Sequence, residues 1–400
     1  MAALQENDRP VAWLAAAGFG VGSQVWMHRQ ASGMARLDLR VITHNYDQPD
    51  RFPPNGFSVE EINESTPLSK NRLVAQSQLA MHGARNLSRG GFRGSVEETN
   101  RWVHLLKEHK PAVVLCHFGP IAVRMAPLFS SYGVPIVAHF NGYDLSSGLR
   151  KWGYRTGLQK WAPRFAGNVV VANYMREELE KIGCDPARIH KIPYGAPMPE
   201  MIEATQVGAQ PCRFLMVGRL TDKKRPDLSL RAFALCRETC PDARLIVIGD
   251  GPLMDRCKAV ESELGLAGHV EWLGAQPNDE VKRQLGAAGV FVQHSVTAES
   301  GDKEGWPVAI GEAAASGLPI ASTRHASIPE QVEHGETGLL CDELDWRAMG
   351  ENMARLASDP ELRASMGRAA RAKLAAMDTE HQVKQLEDVL LNAARQPVGA

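Results

Sequence analysis

The nine residues Glu304-Gly-Trp-Pro-Val-Ala-Ile-Gly-Glu312 place two carboxylates across the expected start of a helix. Gly305 is conformationally permissive, and Pro307 suits a first helical position because its missing N–H is not needed there. Residues 308–316 continue with helical spacing. Glu304 then precedes the helix, Glu312 sits on its second turn, and free backbone N–H groups lie between them. A helix N-terminus favours an anion, and flanking carboxylates accept hydrogen bonds from hydroxyls. A sugar joined to a diphosphate joined to a ribose carries that distribution of groups. Taken alone, such a pair reads more simply as two solvated helix charges, so its surroundings decide.

Fixed positive charge stands at a matching place. The apolar run 213–217 leads directly into Gly218-Arg219-Leu220-Thr-Asp-Lys223-Lys224, and a helix is expected to begin near Pro226. The Arg219 fork can bind phosphate oxygens, and Lys224 adds a compact charge. A second turn, Gly249-Asp250-Gly251-Pro252, follows the next strand at the same edge. The chain contains no Asp-x-Asp, the carboxylate pattern that usually holds Mg²⁺ or Mn²⁺ in metal-dependent nucleotide-sugar enzymes. Charge neutralisation then falls to Arg219, Lys224 and the helix end, and no metal site is expected.

These groups need a scaffold that gathers strand ends. Short apolar runs alternate with helical patterns, and they do so twice. The first half has runs at 11–17, 39–43, 112–116, 135–140 and 169–172, with a weaker one at 189–192. The second half has them at 213–217, 245–248, 270–273, 290–293, 319–322 and 338–341. Val-, Ile- and Leu-rich runs between helices predict an α/β fold whose parallel sheets are covered on both faces. Ser95-x-x-Glu98 is a capping-box pattern, and 379–393 reads as a last amphipathic helix. Proline and glycine crowd Pro193-Tyr-Gly-Ala-Pro-Met-Pro199 and Gly208-Ala-Gln-Pro211, so 198–211 reads as a linker. The expected domains are 1–197, completed by the C-terminal helix at about 379–400, and 212–378. Two doubly wound domains would leave a cleft, with ligands at the carboxyl ends of the strands.

Four hundred residues exceed one ordinary core, and a net charge of −1 gives no general attraction to nucleic acid. The first apolar run is short and follows Glu6, Asp8 and Arg9, unlike a signal peptide, and no run has membrane-spanning length. The expected location is cytoplasmic, either free or peripheral on the inner face of the membrane. The seven cysteines are odd in number and lack Cys-x-x-Cys, which fits buried free thiols in a reducing compartment.

Gly218-Arg219-Leu220 with Lys224, Gly249-Asp-Gly-Pro252, Glu304-Gly-Trp with Glu312, Ile328-Pro-Glu330 and Glu336-Thr-Gly-Leu-Leu340 occur in this order. Together they resemble the GT-B-fold, retaining glycosyltransferase family 4, strongly over 214–340 and weakly in the first domain. The run from His294 to Glu304 is most similar to the branch that builds exopolysaccharide and lipopolysaccharide sugars, including colanic-acid-type transferases. The resemblance implies two Rossmann-like domains, the first binding the acceptor and the second the nucleotide-sugar donor, without metal or other cofactor. Arg219 and Lys224 would bind the donor diphosphate and stabilise its growing charge as the sugar–phosphate bond breaks. Gly218, Gly251 and Gly305 would belong to the donor loops, and backbone N–H groups from Trp306 through Pro307 to Val308 would add the helix-end contribution. Glu312 would accept from the ribose hydroxyls, Glu304 would face the donor sugar, and the base would lie near Gly274-Ala-Gln276. Retention implies attack by the acceptor from the face the phosphate leaves, with that phosphate taking the proton. No carboxylate nucleophile is nominated.

The first domain departs from the family's Phe-His-Gly-Tyr/Phe-Asp. This chain has His139-Phe-Asn141-Gly142-Tyr-Asp144, with asparagine where histidine is usual. Either His139, two residues earlier and on the same side of an extended chain, takes the polar contact to the sugar, or Asn141 does. His117 and Asp144 are further acceptor-side candidates, with a packed histidine and a helix N-cap as their plainer readings. Ala17-Gly-Phe-Gly-Val-Gly22-Ser23 looks like a dinucleotide fingerprint, but Ser23 replaces the third glycine. An NAD-dependent enzyme would leave Arg219, Lys224 and both glutamates unexplained, so Gly22 and Ser23 are assigned to a loop closing over the donor phosphates.

Between Leu145 and Met175 lie Arg150, Lys151, Arg155, Lys160 and Arg164, no acidic residue, and the interleaved Trp152, Tyr154 and Trp161. Such a segment suits an anionic lipid surface or a lipid-diphosphate acceptor, or it is an ordinary basic helix covering its sheet. The expected partners are a nucleotide-sugar donor and a glycan or lipid-linked acceptor, and not nucleic acid. Competing readings are a GT-B phosphorylase or synthase with a small acceptor, and a GT-B protein that binds nucleotide sugar without catalysis.

Overall fold

A computed structural model describes residues 9–62, 96–198, 203–204, 207–209 and 211–396, without the side chains of Ser23 and Val96. Each apolar run expected to be extended lies in one of two all-parallel sheets. The first comprises β1 (Val11–Phe19), β2 (Asp38–Tyr46), β3 (Phe57–Glu61), β4 (Val113–His117), β5 (Ile136–His139), β6 (Gly167–Val170) and β7 (Ile189–Lys191). Their order is β3-β2-β1-β4-β5-β6-β7. The second comprises β8 (Arg213–Val217), β9 (Arg244–Ile248), β10 (Val270–Gly274), β11 (Val290–Gln293), β12 (Ile320–Thr323) and β13 (Gly338–Cys341), in the order β10-β9-β8-β11-β12-β13. In each sheet the order reverses beside the first strand, the doubly wound arrangement that places ligands at that switch point.

Helices on both faces explain the unbroken apolar strands: every residue of β4, β5, β11, β12 and β13 is buried. β3 was not legible as a strand, because Phe57-Ser-Val-Glu-Glu is a half-exposed edge carrying two carboxylates.

The chain divides into two compact units, Met1–Ile192 with Val383–Ala400, and Pro193–Gln382. The division falls before the proline-rich stretch, since Ala196 bridges to Asp378 within the second unit. The last helix, Thr379–Ala394, begins in the second unit and belongs to the first from Val383 onward. In the first unit, its Glu387 accepts the Arg36 N–H at 2.7 Å, and Val383 fills the space beside Gly33. Ser95 of the capping-box pattern lies outside the described residues. Its partner Glu98 is buried and accepts from Arg124 and from His44 at 2.9 Å. All seven cysteines are free, and all but Cys240 are buried.

Candidate active site

Lys223, Lys224, Asp302 and Glu304 of the second unit meet at the carboxyl edge of its sheet, around the switch point between β8 and β11. Lys224, in the turn that follows β8, directs Nζ to Glu304 Oε1 at 2.9 Å and donates to Gln293 Oε1 at 3.1 Å. Gln293 is the last residue of β11, and its side-chain amide also donates to Ser295 Oγ at 2.9 Å. Glu304 is buried. Burial alone would raise its carboxyl, but the nearby Lys224 and Lys223 charges outweigh that and hold it below the ordinary range. Lys223 itself pairs with Asp302 at 3.1 Å, which ties the loop carrying Glu304 to the one carrying the lysines.

Two loops pack backbone to backbone here. Gly249 has φ +138°, and a Cβ there would lie 2.0 Å from the Gly218 carbonyl oxygen. The strand-end glycines of Gly218-Arg219-Leu220 and Gly249-Asp-Gly-Pro252 thus let adjacent loops touch. Gly249→Ala should cost about 2 kcal/mol or more, lowering the second unit's melting transition by about 4–8 °C in calorimetry. An unchanged transition would remove this account of the motif. Gly251 packs in the same way against Leu220. Arg219 is exposed and, among the described residues, has no hydrogen bond or ion pair.

The helix after Glu304 runs Val308–Ala315, and here the structure corrects the reading of its start. Pro307 is the N-cap, with ψ 104°, rather than the first helical residue, and it has no N–H to offer an anion. Ile310 N–H is used by the Pro307 carbonyl at 3.1 Å, so the N–H groups at this end are those of Val308 and Ala309. Trp306 is buried, and its indole N–H donates to the Tyr194 carbonyl at 3.1 Å, making its side chain an anchor of the loop. Gly305 and Pro307 are buried beside it. Glu312 lies one turn into the helix and is buried. Gln276 is half-buried and turns back to donate to the Leu273 carbonyl.

Sequence reasoning missed the residues that hold Glu304 from behind. Its backbone N–H donates to His325 Nε2 at 3.1 Å, and His325 Nδ1 lies 2.6 Å from Glu343 Oε1. Glu343 Oε2 accepts the Thr297 N–H at 2.7 Å. No spacing rule links residues drawn from the ends of β11, β12 and β13.

In the first unit, β4 and β5 end in register at His117 and His139. Both rings are fully buried, with centroids 4.9 Å apart and the Trp26 indole edge-on to each. Burial pushes His139 down to about 3, and burial with the His139 neighbour drives His117 well below the usual histidine range. Both are neutral at physiological pH. Asn141 is half-buried, and its N–H donates to Asp144 Oδ2 at 2.8 Å. Asp144 is fully buried and holds this turn rather than capping a helix. In the fingerprint segment, β1 extends through Phe19, so Gly20 makes the turn: its φ is +78°, and a Cβ would meet the Asp47 carbonyl at 2.0 Å. Gly22 opens a 3₁₀ turn, Gly22–Gln24, that leads into the helix Val25–Gly33.

The basic, aromatic segment forms the helix Trp152–Trp161 and its flanks. Trp152 is 81% exposed, and Lys160 Nζ lies 5.0 Å from the Trp161 ring centroid. No helix among the described residues is long and apolar enough to cross a membrane.

Two doubly wound parallel sheets define the GT-B class of glycosyltransferases. The Anabaena HepE crystal structure in complex with UDP matches with a TM-score of 0.77 at 16% identity, covering 96% of this chain and 99% of that one. WaaG, a glycosyltransferase involved in lipopolysaccharide biosynthesis, matches with a TM-score of 0.68 over 95% of this chain and 99% of that one, at 16% identity. Residues 21–197 match Glycosyltransferase Family 4, and 198–373 match Glycosyl transferases group 1. WcaL of Escherichia coli, which carries the name of a colanic acid biosynthesis glycosyltransferase, is 33% identical over 68% of this chain and 67% of its own length. The amylovoran biosynthesis glycosyltransferase AmsK of Erwinia amylovora is 30% identical over 70% and 69%. The chain belongs to glycosyltransferase family 4 and is related to glycosyltransferases named for colanic acid and amylovoran biosynthesis.

Proposed function

We propose that the protein is a retaining, metal-independent hexosyltransferase, moving a sugar from a nucleoside diphosphate to a glycan or lipid-linked acceptor in exopolysaccharide-type synthesis. The observation that carries this reading is the Lys224–Glu304 pair, 2.9 Å apart at the switch point and beside the free end of the helix bearing Glu312. Lys224, exposed Arg219 and the Val308 and Ala309 N–H groups are suited to a diphosphate, so its charge is met without a metal ion. Glu312 accepts from ribose, and Glu304 from the hydroxyls of the sugar. Gly218, Gly251, Gly305 and Gln276 shape the surrounding loops. The first unit serves the acceptor. There Asn141 is better suited than His139 to meet a sugar, because it is less deeply buried; Asp144 acts through the turn it holds, and His117 through the His139 ring packed beside it. The exposed Trp152 and the cations around it support contact with an anionic lipid surface on the cytoplasmic side.

Incubation with UDP-, GDP- and ADP-sugars, with candidate acceptors present, tests the reading through nucleotide release. One donor should release nucleotide in proportion to acceptor, with no loss on chelation. No release from any donor would leave a non-catalytic binding protein instead, and release to a small free acceptor would favour a synthase.

A further inference from the structure

We propose that His325 and Glu343 form a positioning dyad that sets the place of Glu304 in the donor site. This rests on the reading of Glu304 as the residue facing the donor sugar. The hydrogen bonds assign the tautomer. His325 Nε2 receives the Glu304 backbone N–H at 3.1 Å, so Nε2 carries the lone pair and Nδ1 the proton. Nδ1–H then donates to Glu343 Oε1 at 2.6 Å, a charge-assisted bond that fixes the ring's orientation. Glu343 is held in turn by the Thr297 N–H on its other oxygen, at 2.7 Å.

The dyad joins three strand-end loops to the backbone of one functional residue. Thr297 follows β11, His325 follows β12 and Glu343 follows β13, so each loop restrains the next. The His325 side chain is wholly buried, so water does not compete for its bonds. On the other side Lys224 holds the Glu304 carboxylate, while Gln293 holds Lys224 at 3.1 Å. Glu304 is thus fixed twice, at its backbone by His325 and at its side chain by Lys224. The dyad has no hydrogen bond or ion pair with Arg219, Lys224 or Glu312; its bonds run to Glu304 and Thr297. Its loss should therefore displace the sugar-facing group and spare nucleotide binding.

The test compares His325→Leu, His325→Gln and Glu343→Ala with the wild type. His325→Leu should lower kcat with the productive donor about tenfold, with nucleoside diphosphate affinity changed less than threefold. His325→Gln, whose side-chain oxygen reaches the place of Nε2, should recover most of that loss. Glu343→Ala should lie between them. Equal turnover in His325→Leu and wild type, or proportionate loss of turnover and nucleotide affinity, would overturn the proposal. Two readouts hold even if no donor is turned over. ¹⁵N spectra of histidine-labelled protein, with the signal assigned by its absence in His325→Gln, should show Nδ1 protonated and Nε2 unprotonated. Amide exchange at Glu304 should speed at least tenfold in His325→Leu. The opposite tautomer, or unchanged exchange, would refute the dyad, whereas absent turnover with both signatures present would refute only the transferase reading.

Discussion

Lys224→Met should reduce donor turnover about a thousandfold, the scale expected when a cation aimed at developing phosphate charge is lost from a largely buried site. The chain should still fold, because methionine fills the lysine stem. Glu304, however, loses the charge 2.9 Å from its carboxylate and remains buried. In the wild type the lowered carboxyl makes ionised Glu304 favour the folded state above the ordinary glutamate range. That contribution is lost as pH falls through the lowered value. In the variant, burial prevails over the weakened attraction, so Glu304 takes up its proton at a higher pH. Carboxyl infrared absorption against pH should show this upward shift, and steady-state kinetics should show the loss of turnover. A variant that kept a tenth of wild-type turnover would remove Lys224 from the diphosphate site.

Glu312→Ala should weaken binding of the nucleoside diphosphate about a hundredfold, since a buried carboxylate that receives two hydroxyls makes two charge-assisted bonds. Alanine continues the helix Val308–Ala315 without backbone cost and removes a buried charge, so thermal stability should change little. Calorimetric titration with the nucleotide that the release screen selects would measure the effect. Equal affinity in variant and wild type would show that the ribose lies elsewhere, whatever the turnover.

Arg219, Lys224, Glu304 and Glu312 are nominated by the sequence because each belongs to a short local signal, and the structure brings Lys224 within 2.9 Å of Glu304. Gly218-Arg219-Leu220 marks a strand turning into a helix, and Glu304 and Glu312 flank a helix start separated by a proline. The local signal erred in detail at Pro307. A proline fits both the N-cap and the first helical position, and only the observed ψ of 104° separates them. In the first unit, the sequence reads as a strand over 11–17 with Gly22 and Ser23 in the loop that follows, which makes β1 two residues too short. Val11–Phe19 runs past Gly18, a residue that by propensity alone would end a strand.

Periodicity and residue type were enough to determine that the chain is α/β, that its strands are buried on both faces, and which loops carry charge. These are properties of neighbours along the chain, where burial on both faces leaves a run of Val, Ile and Leu. Which residues meet in the site was decided by tertiary structure alone. Lys224, Gln293, Glu304, His325 and Glu343 meet because β8, β11, β12 and β13 lie side by side in that order. Adjacent parallel strands are about 5 Å apart, so residues far separated in sequence come within hydrogen-bonding reach at their ends. Which strand neighbours which is set by the packing of helices on both faces of the sheet, and no local pattern carries that information.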